Sequence, residues 1–284
     1  MQWQGRRQSS NVDDRRGMSG GKLAVGGGVI GVIFILVKFL LGGGDINDLS
    51  QLVQQPQQQQ TEMTAEQNAA DEEEAAFVKV VLADTEDVWS KLFTEMDRTY
   101  TDPTLVLFRD ATTTGCGNAG ASSGPFYCPA DHNLYIDLSF AEELKNQFGA
   151  TGDFAMAYVV AHEVGHHVQY LLGMTQKMEQ LRQQVSETEY NKYSVRLELQ
   201  ADFYAGVWAH YDQKMKNVID PDDIQEALNA ANAIGDDRLQ RQYQGTVTPD
   251  SFTHGTSAQR MFWFKKGYET GDLKQGNTFA DASF

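Results

Sequence analysis

Residues 23–41 read LAVGGGVIGVIFILVKFLL, an apolar run whose one charge, Lys38, lies near its C-terminal end. As a helix rising 1.5 Å per residue it measures about 28 Å, close to the roughly 30 Å hydrocarbon core of a bilayer. It has no polar face, so it does not read as a helix half-buried in a soluble core. The residues ahead of it are too many, and the small-residue cleavage pattern after it too weak, for a secretory signal. The expectation is a single transmembrane helix over 23–41, with Lys38 snorkelling to the interface. Basic side chains precede the run and the acidic stretch DINDL follows it. That asymmetry makes residues 1–22 a cytoplasmic basic tail and places the C-terminal bulk outside the cytoplasm.

Residues 45–75 contain QQPQQQQ and DEEE and lack aromatic side chains. With so little to bury, the stretch reads as a glutamine-rich flexible tether, a glutamine-rich interaction segment being the competing reading. A folded domain is expected over 76–284. Arg6, Arg7, Arg15, Arg16, Lys22 and Lys38 face only Asp13 and Asp14 within residues 1–44, while the whole chain carries −16. The outer domain is therefore strongly acidic, which disfavours nucleic acid as a partner and any polyanionic substrate. The two cysteines exclude a disulfide-dense scaffold and a four-thiolate metal site. In an oxidising compartment Cys116 and Cys128 are expected to form a disulfide that restrains their Gly/Ser/Ala-rich loop by about 3 kcal/mol in the chain-entropy account.

Apolar spacing of three, four and seven predicts a helix over 76–99. TLVLFR at 104–109 and LYIDLS at 134–139 read as strands, with the intervening TTTGCGNAGASSGPFYCP as an irregular loop. Further helices are expected over 153–172, over 189–216, after Pro221-Asp222-Asp223, and over about 256–270. The sum is a mostly helical α+β domain.

The most specific chemical pattern is His162-Glu163-Val164-Gly165-His166, inside the helix AYVVAHEVGHHVQYLL. Residues four apart share a helix face, so both imidazoles can bind one zinc ion. Glu163, one position round, can reach a metal-held water as general base. The bland alternative is two histidines on an amphipathic helix, but the apolar flank (Val159, Val160, Ala161, Val164, Val168) makes the helix buried, and buried imidazoles need partners. His167 is one step round from His166 and cannot easily share its metal, and His132, His210 and His254 are isolated. Glu198, in RLELQADFYAG, is the candidate third ligand, with Asp202 four residues on to accept the free N–H of a liganding imidazole. A solvated acidic helix face is the alternative for both, and Glu187 and Glu189 are weaker rivals as ligand. Small residues (Gly165 on one helix, Ala205 and Ala209 on the other) would let the two helices approach. In THGTSAQR, His254 is a candidate to stabilise an oxyanion. The alternative is that His254 and Arg260 hold a turn. Tyr158 and Tyr204 are further oxyanion donors by type.

H-E-x-x-H followed by E-x-x-A-D resembles the gluzincin class of zinc peptidases. More narrowly, the chain is similar to the bacterial family of putative neutral zinc metallopeptidases. The likeness lies in the N-terminal span and in CG…GPFYCPAD…LYIDLSF, AHEVGHHVQ, ELQADFYAG, AIGDDRLQ and THGTSAQR, and it covers about 22–44 and 76–284. It implies a zincin-like fold with one zinc ion held by His162, His166 and Glu198, and Glu163 as the catalytic residue. The expected protein is a single-pass zinc endopeptidase of the bacterial inner membrane, its domain periplasmic or otherwise extracytoplasmic, with peptides or proteins as substrates. LYIDLS is the strand expected to hold an extended peptide. The rival readings are a catalytically silent, zinc-stabilised domain that binds an envelope partner, and a metal-free interaction domain on a tether.

Overall fold

The two β-branched and aromatic runs become adjacent strands. β2 (Thr104–Phe108) pairs in parallel with β6 (Asn133–Asp137), from Thr104↔Asn133 to Phe108↔Asp137. Leu105, Val106, Leu107, Phe108, Leu134, Tyr135 and Ile136 are all buried, as expected for strands covered on both faces. The sheet order is β1-β2-β6-β5, with β1 (Val12–Asp14) parallel to β2 and β5 (Phe126–Cys128) antiparallel to β6. β6 is thus paired on both sides, and its hydrogen-bonding groups are spent on its neighbours. The strand expected at 134–139 to hold an extended peptide has no free edge; β5, beside it, does.

The computed structural model describes residues 1–17, 65–120 and 123–280. Met1–Arg16 and Asp71–Phe284 form one compact unit and Gly17–Ala70 a second. The apolar run expected to span a membrane at 23–41 lies outside the described residues. Among the described residues, no helix is long and apolar enough to cross a bilayer.

Residues 1–16, part of the basic tail expected at 1–22, pack into the folded unit. Asn11 and β1 extend the sheet alongside β2. Arg6 pairs with Asp84 at 2.7 Å, Arg7 with Glu86 and Asp87 at 3.0 and 2.7 Å, and Arg16 with Asp14 and Asp71, both at 2.7 Å. The partners Asp84 and Glu86 are buried on α1 (Ala65–Glu95). That helix also corrects the tether boundary: it begins at Ala65, so 65–75 is helical. Its inner face carries Phe77, Val81, Val88, Trp89 and Leu92 into the core.

The loop between the strands is more regular than its composition suggests. β3 (Ala111–Thr114) and β4 (Gly117–Gly120) form an antiparallel hairpin. Cys116 in its turn is disulfide-bonded to Cys128 at the end of β5, with Cα atoms 5.9 Å apart. The remaining elements are α2 (Ser139–Asn146), α3 (Asp153–Leu171), α4 (Met174–Arg182), α5 (Glu187–Lys216), α6 (Asp223–Ala233), α7 (Asp236–Gln244) and α8 (Ser257–Thr270). The molecule is a mostly helical α+β protein, as the sequence implies. α2, α4 and α7, of eight or nine residues, are not among the helices the sequence predicts.

Two close approaches set the centre. A Cβ on Gly165 of α3 would stand 3.0 Å from the Ala201 carbonyl oxygen of α5. The small residue opposite Gly165 is therefore Ala201 rather than Ala205 or Ala209. On the other side of α5, Gly206 and Gly267 let α5 and α8 cross so tightly that a Cβ at either would come about 2 Å from a facing carbonyl oxygen. α8 starts with a capping box, Thr256 accepting from the Gln259 N–H while the Gln259 side chain caps Thr256 in return.

Candidate metal centre

α3 presents His162 and His166 one turn apart, and α5 brings Glu198 to meet them. Glu198 Oε2 lies 3.2 Å from His162 Nε2 and 3.4 Å from His166 Nε2. The three side chains offer donor atoms within 4.8 Å of one another. Zinc ligands at roughly 2.0–2.1 Å in a tetrahedron stand about 3.3–3.4 Å apart, so this donor set fits a zinc ion.

The outer nitrogens of both rings explain why the inner ones converge. His162 Nδ1 is 2.8 Å from Asp202 Oδ1, and a carboxylate can only accept, so Nδ1 carries the proton. His166 Nδ1 faces the Gln169 side-chain oxygen at 2.9 Å, while the Gln169 amide nitrogen donates to the Leu197 carbonyl and to Gln200. Each ring is thereby held with its Nε2 lone pair toward Glu198. Two ring nitrogens facing one carboxylate oxygen call for a cation between them, a proton or a metal ion. Burial works against charge on Glu198, but the facing imidazoles hold its carboxyl well below the ordinary range. Burial likewise opposes the His162 cation, yet Asp202 and Glu198 raise that ring to about 9. The same field that attracts a proton attracts a metal ion.

Asp202 is fully buried and is a hub. Besides His162 it accepts from the Tyr158 hydroxyl, from Arg260 Nε at 2.8 Å and from Arg260 Nη2 at 2.9 Å. Arg260 is 2% exposed. It is the counter-ion of the carboxylate that orients His162, and its Nη1 also donates to the Ile234 carbonyl at 3.4 Å, so it braces backbone as well. Tyr158, considered as an oxyanion donor, spends its hydroxyl on Asp202. Gln169 and Arg260 are the supporting residues that periodicity alone does not reveal. The only hints are Gln169 three positions after His166 and Arg260 in the THGTSAQR run.

Glu163 is buried, with the backbone N–H of Tyr127 in β5 turned toward it, while burial pushes its carboxyl above the ordinary range against the pull of the imidazoles. It lines a cavity of about 520 Å³ together with His162, His166, Glu198, Arg260 and His254. His254 Nδ1 lies 3.2 Å from Asp236 Oδ1, whose other oxygen takes the backbone N–H groups of Thr253, His254 and Gly255. Asp236 thus clamps the turn that carries His254, and its hydrogen bond raises the pKa of that ring. Asp236 was not singled out by sequence; an acid in the first turn of α7 ordinarily serves that helix.

The other candidates sit elsewhere. Glu189 pairs with Lys192, and Glu187 is exposed in the same first turn of α5. Tyr204 packs edge-on against Trp89. His132 lies against the Tyr170 ring, and His210 donates to the Tyr268 carbonyl. His167 is buried and turned away from the donor set toward Tyr127 and Thr101, and burial lowers it to about 4.

The sequence profile of a family described as putative neutral zinc metallopeptidase matches residues 1–279. A protein of Escherichia coli (strain K12), "Uncharacterized protein YpfJ", is 51% identical over 286 residues, covering 98% of this chain and 99% of its own. "Uncharacterized protein Rv2575" of Mycobacterium tuberculosis (strain ATCC 25618 / H37Rv) and "Uncharacterized protein Mb2605" of Mycobacterium bovis are each 47% identical over 193 residues, 64% of either chain. No solved structure matches.

Proposed function

Since this chain belongs to the putative neutral zinc metallopeptidase family, we propose that it is a zinc-dependent peptidase in which His162, His166 and Glu198 hold one zinc ion and Glu163 is the general base. The observation that carries the reading is the convergence of three donors within 4.8 Å of one another, Glu198 standing 3.2 and 3.4 Å from the two imidazoles, with a buried carboxylate beside them, open to one cavity. When bound, zinc lowers the pKa of a coordinated water toward about 7 and polarises a carbonyl oxygen. Glu163 removes a proton from the attacking water and passes it to the leaving amine, a task that its raised pKa suits. Asp202 and Gln169 keep both imidazoles in the liganding tautomer. His254, with Nδ1 on Asp236, has Nε2 left to donate toward the oxygen that gains charge. The Cys116–Cys128 disulfide supports an oxidising compartment, and the length and apolarity of 23–41 support attachment to a membrane.

The test is metal analysis of the full chain combined with a peptide-library digest. One zinc per chain is expected in the wild type and in Glu163→Gln, with cleavage by the wild type alone; Glu198→Ala should lose the metal. A wild type that holds zinc but cuts nothing would leave a zinc-stabilised binding domain. Cleavage by Glu163→Gln would remove Glu163 from the mechanism.

A further inference from the structure

The third histidine of HEVGHH has no part in the donor set, yet it is 1% exposed and fully engaged. Its Nε2 is 2.7 Å from the Thr101 carbonyl oxygen. A carbonyl only accepts, so Nε2 carries the proton and Nδ1 is an acceptor. The group facing Nδ1, at 3.1 Å, is the Tyr127 hydroxyl, which must then donate. The backbone N–H of the same tyrosine is turned toward Glu163, with which Tyr127 lines the same cavity. Glu163 and His167 are four apart on α3, one turn or about 5.4 Å along the axis, and so share a face. A single tyrosine thus spans that turn, its backbone facing position 163 and its side chain bonded to position 167.

β5 needs such a grip. It is three residues long and has one strand neighbour, β6. The Tyr127 and Tyr100 rings also lie edge-on against the His167 imidazole. We propose that His167 is a positioning residue: by accepting the Tyr127 hydroxyl it seats β5 against α3, so that the Tyr127 N–H fixes the Glu163 carboxylate beside the metal ligands. The consequence for turnover rests on the role of Glu163 given above; the seating of β5 does not.

Both parts are measured on the full chain. Tyr127→Phe removes only the hydroxyl. It should keep its zinc, leave KM unchanged and lower kcat about tenfold, the worth of one hydrogen bond. Hydrogen exchange at the Tyr127 amide should quicken by a similar factor. His167→Phe should match it, the double variant should be no worse than either single one, and His167→Asn, whose side-chain oxygen takes the place of Nδ1, should recover most of the loss. Glu163→Ala should also expose the Tyr127 amide. Unchanged amide exchange in a folded, zinc-loaded Tyr127→Phe protein overturns the proposal, as do multiplying losses in the double variant. If the wild type cleaves no peptide, the peptidase reading fails while the exchange data still decide the positioning role.

Discussion

Neutralising Asp202 should damage the protein in two separable ways. Its carboxylate is fully buried and receives four donors: the Tyr158 hydroxyl, His162 Nδ1–H and two N–H groups of Arg260. Asp202→Asn keeps the shape and removes the charge. The guanidinium of Arg260, 2% exposed, is then left without its counter-ion. Removing one partner of a buried ion pair costs about 3–5 kcal/mol, a large part of the roughly 5–15 kcal/mol that holds a domain together. Separately, His162 loses the anion that orients it, and weakening such an outer partner typically costs about 10–100-fold in metal affinity. Urea unfolding of the metal-free protein reads the first effect, and competition against a chelator reads the second. The two are kept apart because metal binding itself stabilises the fold.

Arg260→Met tells the mechanisms apart. In Asp202→Asn/Arg260→Met no uncompensated charge remains, so the double variant should be more stable than Asp202→Asn alone. Its zinc affinity should stay depressed, because His162 still lacks its carboxylate. Additive stability losses would refute the buried-pair argument. An Asp202→Asn protein that unfolds within about 1 kcal/mol of wild type would refute the premise that Arg260 depends on it.

Asp236→Asn removes the main cause of the raised His254 pKa. With Nδ1–H committed to Asp236, Nε2 donates only when the ring is charged, so activity should fall as pH rises through a value above 6.5 in the wild type. That alkaline limb of kcat/KM should move down toward 6.5 in the variant, and a limb that stays put would take His254 out of the reaction. Burial, reinforced by Asp153 and Asp71, raises Glu74 to about 7 from an ordinary 4.5. The folded state then holds a proton that the unfolded state releases, and stability falls as pH climbs from about 4.5 to 7. Glu74→Gln should therefore gain on the order of 1–3 kcal/mol at pH 8 and little at pH 5 by urea unfolding. Residues 1–16 and 71–284 share one compact unit, so Ser10→Cys and Ser251→Cys, both exposed, should react alike with a membrane-impermeant thiol reagent in intact cells. Labelling of one and not the other would mean that the unit comes apart in the cell.

The centre was legible where its geometry repeats within one helix. His162 and His166 are four apart, as are Glu198 and Asp202, and both pairs lie on the faces that the 3.6-residue period gives them. That Glu198 meets the histidines followed from ligand count, because two imidazoles do not complete a zinc site. Arg260, Asp236 and Gln169 were not legible in that way. Each is a polar residue whose partner is set by a helix crossing, and the α5–α8 crossing depends on Gly206 and Gly267, which carry no periodic pattern of their own. The strand itself was legible, but the peptide-holding role expected of it was not, for a related reason. LYIDLS reads as a strand, but whether a strand is central or at an edge depends on pairing with residues 126–128 and 104–108.

The N-terminal arginines show the same limit in its sharpest form. Orientation rules count lysines and arginines beside an apolar run and give little weight to acids. By that count Arg6, Arg7, Arg15 and Arg16 hold the tail in the cytoplasm. In the folded unit Arg6, Arg7 and Arg16 are paired with carboxylates some 55–80 positions away, at Asp84, Glu86, Asp87 and Asp71, and Arg15 pairs with Asp13. Arg16 and Asp71 are each only about 9% exposed at the side chain, so that pair is desolvated as well as neutralised. An arginine already paired in a folded body presents no free charge to a membrane surface. The topology of this chain has to be argued from the contacts of residues 1–16, which bind them to the same body as His162, His166 and Glu198.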